Sequence, residues 1–119
     1  MSHYIKSIKH LNEIDDAFSY SCASPGTKVI LDFNADWCIP CKMLEPVLDK
    51  LLSTRDDIII CSVDIDNAPD LAAEFSIKSV PTLVLLENKK EIKRKVGSAK
   101  LNDLIKWIDE RNVHIHIKW

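Results

Sequence analysis

The stretch Val29-Ile30-Leu31-Asp32-Phe33-Asn34-Ala35-Asp36-Trp37-Cys38-Ile39-Pro40-Cys41-Lys42 decides how this chain is read. Its first half holds a bounded β-rich run, Val29, Ile30, Leu31 and Phe33, suited to a strand buried on both faces. After Cys41 the apolar residues Met43, Leu44, Val47, Leu48, Leu51 and Leu52 recur at helical spacing. A strand therefore delivers Cys38 and Cys41 to the start of a helix. Pro40 suits that position, because the early N–H groups of a helix have no intrahelical partner.

Two cysteines three apart at a helix start have a specific chemical consequence. In a regular helix their Cβ atoms lie about 5–6 Å apart. A disulfide needs about 3.5–4.5 Å, so a small adjustment of the first turn closes the bond. Free N–H groups and the positive end of the helix dipole favour an anion there, so the first thiol ionises more readily than an ordinary cysteine. A thiolate attacks a disulfide through a mixed disulfide, and a second thiol one turn away resolves it. The local reading is a redox dithiol. The competing reading is half of a zinc site, which needs four ligands; Cys22 and Cys61 stand alone and supply no second close pair.

Working outward, 119 residues fit one domain with room for a real core. A hydrophobic content of 46% beside 29% charged residues is ordinary for a globular chain. The net charge of −2 gives no electrostatic footprint for nucleic acid. Met1 to Phe18 is polar and of mixed charge, without the apolar core of an export signal. No apolar run approaches the roughly 18 residues of a membrane span. With four cysteines and no export signal, a reducing, cytoplasmic setting is the expectation.

The flanking segments supply the remaining elements. Tyr4, Ile5 and Ile8 suggest a short first strand, and Asn12 caps a helix whose Ile14, Ala17, Phe18 and Cys22 share a face. Ser24-Pro25-Gly26 ends it. Pro46 lies inside the central helical pattern and is expected to kink it. Ile58 to Val63 reads as a strand with Cys61 as an inert core thiol. Asp64 and Asp66 read as a solvated strand end rather than a cation site. Asn67 is expected to cap a short helix carrying Leu71, Ala72 and Phe75, with Pro69 in its first turn. Val80 to Leu86 reads as a strand opened by a proline. A turn at Glu87 to Lys90 leads into a returning strand, Glu91 to Val96. Its cluster Lys93-Arg94-Lys95 reads as a charged sheet edge that resists pairing with other chains. Gly97 breaks the strand, and Leu101, Leu104, Ile105 and Ile108 stripe a last helix. The tail from Val113 to Trp119 alternates apolar and polar residues, with His114 and His116 on one face. The order β-α-β-α-β-α-β-β-α predicts an α/β layer fold around a mixed sheet.

These residues together resemble the thioredoxin family. Trp37-Cys38-Ile39-Pro40-Cys41-Lys42 is similar to its active site. The likeness runs on through Asp32-Phe33, Pro46, Val63-Asp64-Ile65-Asp66, Val80-Pro81-Thr82 and Val96-Gly97, most of the chain in the family's order. It implies an α/β thioredoxin fold over residues 1–119 as one domain, a central mixed five-stranded sheet flanked by helices with the dithiol at the sheet edge. It further implies that Cys38 is an exposed nucleophile, Cys41 a buried resolving thiol and Asp32 a buried carboxylate assisting proton transfer at Cys41. A carboxylate inside so apolar a run is costly unless it works, and burial raises its pKa toward a useful range. Pro81 resembles the family's cis-proline facing the dithiol. Trp37, Ile39, Pro40, Val80, Pro81 and Gly97 would then form the surface on which an extended substrate segment docks. Four features depart from the family: Ile39 where glycine is usual, Asn34 where tryptophan is common, Ser62 where many bacterial members have lysine, and the turn at Lys89-Lys90, which lacks the usual glycine.

The functional expectation is a thiol-disulfide oxidoreductase reducing protein disulfides through a reversible Cys38–Cys41 bond. No cofactor and no metal need bind, because the electrons reside on the two sulfurs. The implied partners are protein disulfides and a separate thioredoxin reductase, with no nucleic acid and no membrane, and the chain is expected to be a monomer. The alternative is an interaction module of the same fold with secondary turnover or none; the intact set of Trp37, Cys38, Cys41, Asp32 and Pro81 weighs against it.

Overall fold

The computed structural model describes residues 3–5, 26–87 and 90–110. The expected first helix with Cys22, Ile8, the turn residues Asn88 and Lys89 and the histidine-bearing tail lie outside the described residues. Five strands form one sheet in the order β1-β3-β2-β4-β5: β1 (His3–Ile5), β2 (Lys28–Asn34), β3 (Ile58–Asp64), β4 (Thr82–Glu87) and β5 (Lys90–Val96). Both β1 and β2 run parallel to β3, whereas β4 is antiparallel to β2 and β5 to β4. The sheet is mixed, as the order of elements predicts, and its parallel pairs need helical crossovers.

The two central strands are buried on both faces, and alternation sorts their residues into two cores. One face carries Val29, Leu31, Phe33, Ile59, Cys61, Val63, Val84 and Leu86 and packs on Ala68 and Leu71 of the α2 region (α2, Pro69–Glu74). Phe33 meets Phe75 there, with ring centroids 5.7 Å apart. The opposite face carries Ile30, Ile58, Ile60, Leu83 and Leu85 under α1 (Ile39–Thr54) and α3 (Leu101–Asp109). Leu44, Leu48 and Leu51 of α1 and Leu104 and Ile108 of α3 fill that layer. Fully burying one such leucine contributes about 1.5–3 kcal/mol. The sheet is thus sandwiched between helices. Pro46 lies inside α1, which is helical on both sides of it.

The edge strand β5 shows what its cations do. Lys93 donates from Nζ to the Glu110 carbonyl at 2.6 Å and sits over the Trp107 ring at the end of α3. Arg94, on the other face, donates to both carboxylate oxygens of Glu91 and to the Phe75 carbonyl beyond α2. The register slips by one residue here: Leu85 pairs with Lys93 and Leu86 with Glu91, which leaves Ile92 as the bulged residue.

Two boundaries differ from the sequence reading. Asn67 does not cap α2; the cap position is Ala68, without a side-chain bond. The Asp64 carboxylate accepts the Asp66 N–H at 2.9 Å, and its carbonyl accepts the N–H groups of Asn67 and Ala68, so the turn is built by Asp64 instead. Strand β4 begins at Thr82 rather than Val80. Pro81 has no N–H for the ladder, its peptide bond with Val80 is cis, and the Thr82 hydroxyl donates to the Ser79 carbonyl at 2.8 Å.

A candidate redox site at the start of α1

Strand β2 ends at Asn34, and a tight turn through Asp36 and Trp37 leads into α1. The Cys38 N–H donates to the Ala35 carbonyl at 3.1 Å, closing that turn. Cys38 itself is the N-cap residue, extended at φ −90° and ψ 107°, with Pro40 in the first turn. The Cys41 N–H donates to Cys38 Sγ at 3.2 Å. Sulfur therefore takes the place that a serine or aspartate oxygen usually holds at a helix start. No acidic residue lies in the first turn of α1, so a Cys38 thiolate would be the anion that the helix terminus favours.

Cys38 and Cys41 are joined in a disulfide with Cα atoms 5.3 Å apart, within the range that a disulfide spans. The expected exposure of Cys38 is not met: it is 4% exposed, against 6% for Cys41. Both sulfur-bearing residues cluster with Ala35, and Ile65 and Val80 pack against them from the β3 and β4 sides. Position in the helix distinguishes the two cysteines, whereas depth does not.

Around the sunken disulfide stand several exposed apolar side chains, with Asp36 and Lys42 exposed beside them. Trp37, Ile39 and Val96 are each more than 60% exposed, and Met43 lies one turn beyond Ile39. Trp37 is anchored by its Nε1–H, which donates to the Asp66 carboxylate at 2.8 Å. The Gly97 N–H donates to the Pro81 carbonyl at 2.8 Å, tying the end of β5 to the cis-proline turn. Gly97 has φ +94°, a backbone conformation that suits glycine. The structure thus joins Cys38, Cys41 and Val80 in one cluster and bonds Pro81 to Gly97. Trp37, Ile39 and Pro40 are neighbours in the chain on the exposed side of the turn.

Asp32 is 4% exposed on the face covered by α1 and α3, opposite Ser62 on β3 and Leu83 on β4. Three residues of this region were not singled out as site residues from sequence. Ala35 and Ile65 complete the apolar cluster, and Asp66, exposed as the sequence reading has it, also anchors Trp37. A partner 29 residues away carries no local signal in the sequence. Among the described residues no group of three or more His, Cys, Asp or Glu is placed to hold a metal. Among them, too, no helix is long and apolar enough to cross a membrane.

The thioredoxin family model matches residues 9–110, nearly the whole chain. The chain belongs to the thioredoxin family. It is 45% identical over 82 residues to a thioredoxin of Chlamydia trachomatis, covering 69% of this chain and 80% of that protein. The oxidized form of mitochondrial thioredoxin 3 from Saccharomyces cerevisiae superposes with a TM-score of 0.75 at 31% identity, covering 90% of this chain and 95% of that one. A bifunctional thioredoxin reductase/thioredoxin of Mycobacterium leprae is 39% identical over 98 residues, which is 77% of this chain and 21% of that protein. As a thioredoxin-family protein with its cysteine pair in place, the chain is a thiol-disulfide oxidoreductase acting on protein disulfides by dithiol–disulfide exchange.

Proposed function

We propose that Cys38 is the attacking thiol, Cys41 the resolving thiol and Asp32 the group that takes the Cys41 proton. The single observation that carries this assignment is the Cys38 sulfur at the cap of α1, accepting the Cys41 N–H. In the reduced protein the Cys38 thiolate attacks one sulfur of a client disulfide, and the client's other sulfur leaves as a thiolate that takes a proton from water. Cys41 then loses its proton to Asp32 and attacks Cys38 Sγ. The mixed disulfide breaks, the Cys38–Cys41 bond forms, and the client's second sulfur leaves as a thiolate that takes a proton from water. Two electrons have passed from the dithiol to the client.

The client segment docks on Trp37, Ile39, Pro40, Val80, Pro81 and Gly97. Exposed Trp37 and Ile39 flanking a recessed disulfide support this reading. The cycle closes when a separate thioredoxin reductase returns the electrons; the relative that unites a reductase with a thioredoxin supports that partner. The working form is a cytoplasmic monomer. Cys41→Ser tests the assignment: it should accumulate mixed disulfides with client proteins and lose insulin reduction, while Cys38→Ser traps few. Equal trapping by both variants would refute the division of roles.

A further inference from the structure

Three polar side chains lie together near the carboxyl ends of β2 and β3, on the face covered by α1 and α3. Asp32 and Asn34 alternate with buried Ile30 on β2, and Ser62 follows Ile60 on the same face of β3, in register with Asp32. Asn34 Nδ2 donates to the Asp32 backbone carbonyl and to Ser62 Oγ, each at 2.9 Å. A backbone carbonyl only accepts, so the orientation of the Asn34 amide is fixed and both its N–H groups are spent. Ser62 Oγ then accepts from Asn34, which leaves its own hydrogen to be donated to a facing acceptor. Asn34 and Ser62 are half-buried, whereas Asp32 is buried.

We infer that Asn34 and Ser62 form a device that sets the proton affinity of Asp32: Asn34 orients the Ser62 hydroxyl, and that hydroxyl donates to the Asp32 carboxylate. Ser62 and Asn34 are positioning residues, acting through Asp32, and the inference rests on reading Asp32 as the group that takes the Cys41 proton. A donor aimed at the carboxylate favours its charged form, the form that accepts a proton from Cys41. Strands in a sheet lie about 4.7–4.9 Å apart, which brings register partners on one face within reach of such a bond.

Other groups also face this corner. Cys41 comes from the first turn of α1, and Asp64 lies two residues beyond Ser62 on β3. Leu83 of β4 is the other register partner of Asp32, and half-buried Lys95 of β5 pairs with Leu83. Asp103 and Lys106 of α3 are exposed, since that helix turns Leu104 and Ile108 to the sheet. All of these are unchanged by substitution at Ser62 or Asn34, so a comparison of variants isolates the hydroxyl.

The test is a carbon NMR titration of the Asp32 carboxyl in the full oxidised chain, where neither active-site cysteine titrates. Ser62→Ala should raise the apparent pKa of Asp32 by about one unit, the size expected for a lost hydrogen bond to a charged group. Asn34→Ala should raise it by less, and Ser62→Thr, which keeps the hydroxyl, should hold it near the wild-type value. In the reduced protein the pH profile for release of a fluorescent thiol from the Cys38 mixed disulfide should move to higher pH in Ser62→Ala. An unmoved Asp32 in a folded Ser62→Ala protein overturns the inference, as does a Ser62→Thr shift as large as that of alanine. If Ser62→Ala does not fold, Asn34→Ala decides alone, and an unmoved Asp32 there overturns it. Asp32→Asn separates the two levels. Unchanged thiol release in that variant removes Asp32 as the proton acceptor, while the titration still judges whether Ser62 and Asn34 act on it.

Discussion

The two ends of α1 are finished in opposite ways. At its start the cap is a sulfur, the first turn has no acid, and Trp37, Ile39 and Met43 stand exposed. At its end Arg55 donates to both carboxylate oxygens of Asp57 and to Asp109 of α3, at 2.7–2.9 Å, while Lys28 approaches Asp57 from β2. The hydrogen bonds it donates to Asp57 first, and to Asp109 second, hold the Arg55 guanidinium well above its usual range. The hydrogen bond from Arg55 in turn holds the Asp57 carboxyl below the usual carboxylate value. One end is neutralised and clamped to two other elements. The other has no acidic residue in its first helical turn and leaves its apolar neighbours uncovered, an arrangement that suits dithiol exchange. The same helix thus separates holding from reacting along its length, with the leucine row between them.

The largest perturbation should come from that shared middle. Leu48→Ala removes a fully buried side chain between the sheet and α1 and should cost about 2–5 kcal/mol in denaturant unfolding. Because both ends hang on this layer, activity should vanish with the fold and not before it. Activity lost while the fold persists would mean that the ends are less independent than they look.

A smaller and more selective effect belongs to the clamp. Arg55→Ala should cost about 1 kcal/mol, since Asp109 and part of Asp57 are exposed to solvent, and should leave the reduction potential unchanged. Its clearest signature is in acid. Asp57 has a depressed folded pKa, so its contribution is complete above its unfolded value of about 4 and is lost as pH falls through the lower folded value. Glu91, lowered by its hydrogen bond from Arg94, adds a loss of the same sign. Urea unfolding between about pH 5 and pH 2 should show a steeper acid loss in the wild type than in Arg55→Ala. Parallel curves would mean that the clamp does not couple to protonation.

The smallest effect should come from Ile39→Gly at the reactive end. Isoleucine stiffens the turn and favours closure of the disulfide, and its apolar side chain disfavours a neighbouring thiolate. Both act toward a more reducing protein. At 64% exposure the side chain can shield Cys38 only weakly. The glycine variant should therefore be less negative by only about 10 mV, a third of the 30 mV that corresponds to 1.4 kcal/mol for two electrons. A more negative potential would reverse the assigned sense of the side chain.

What was legible in the sequence and what was not follow from the range of the interactions. Strands β2 and β3 were readable because central strands are apolar on both faces, so Val29 to Phe33 and Ile58 to Val63 signal themselves locally. The dithiol was readable because its chemistry lies within one helical turn. Depth was not: Cys38 is buried by Ile65 and Val80, which reach it through the fold. Trp37 with Asp66, Asn34 with Ser62 and Arg55 with Asp109 are pairs 28 to 54 residues apart, and single residues do not announce distant partners. The cap of α2 misled because Asn67 and Asp64 suit the same turn, and the nearer strand end took it.

The cations of β5 have a consequence for how the molecule opens. Lys93 reaches α3 and Arg94 reaches the residue after α2, so the edge strand is fastened to both outer layers rather than to its neighbour β4 alone. An edge strand ordinarily frays first and by itself, since half of its backbone groups face solvent. Here detaching β5 also breaks the ties to α2 and α3, so all three should exchange their amide protons for deuterium as one cooperative unit, with β2 and β3 exchanging later.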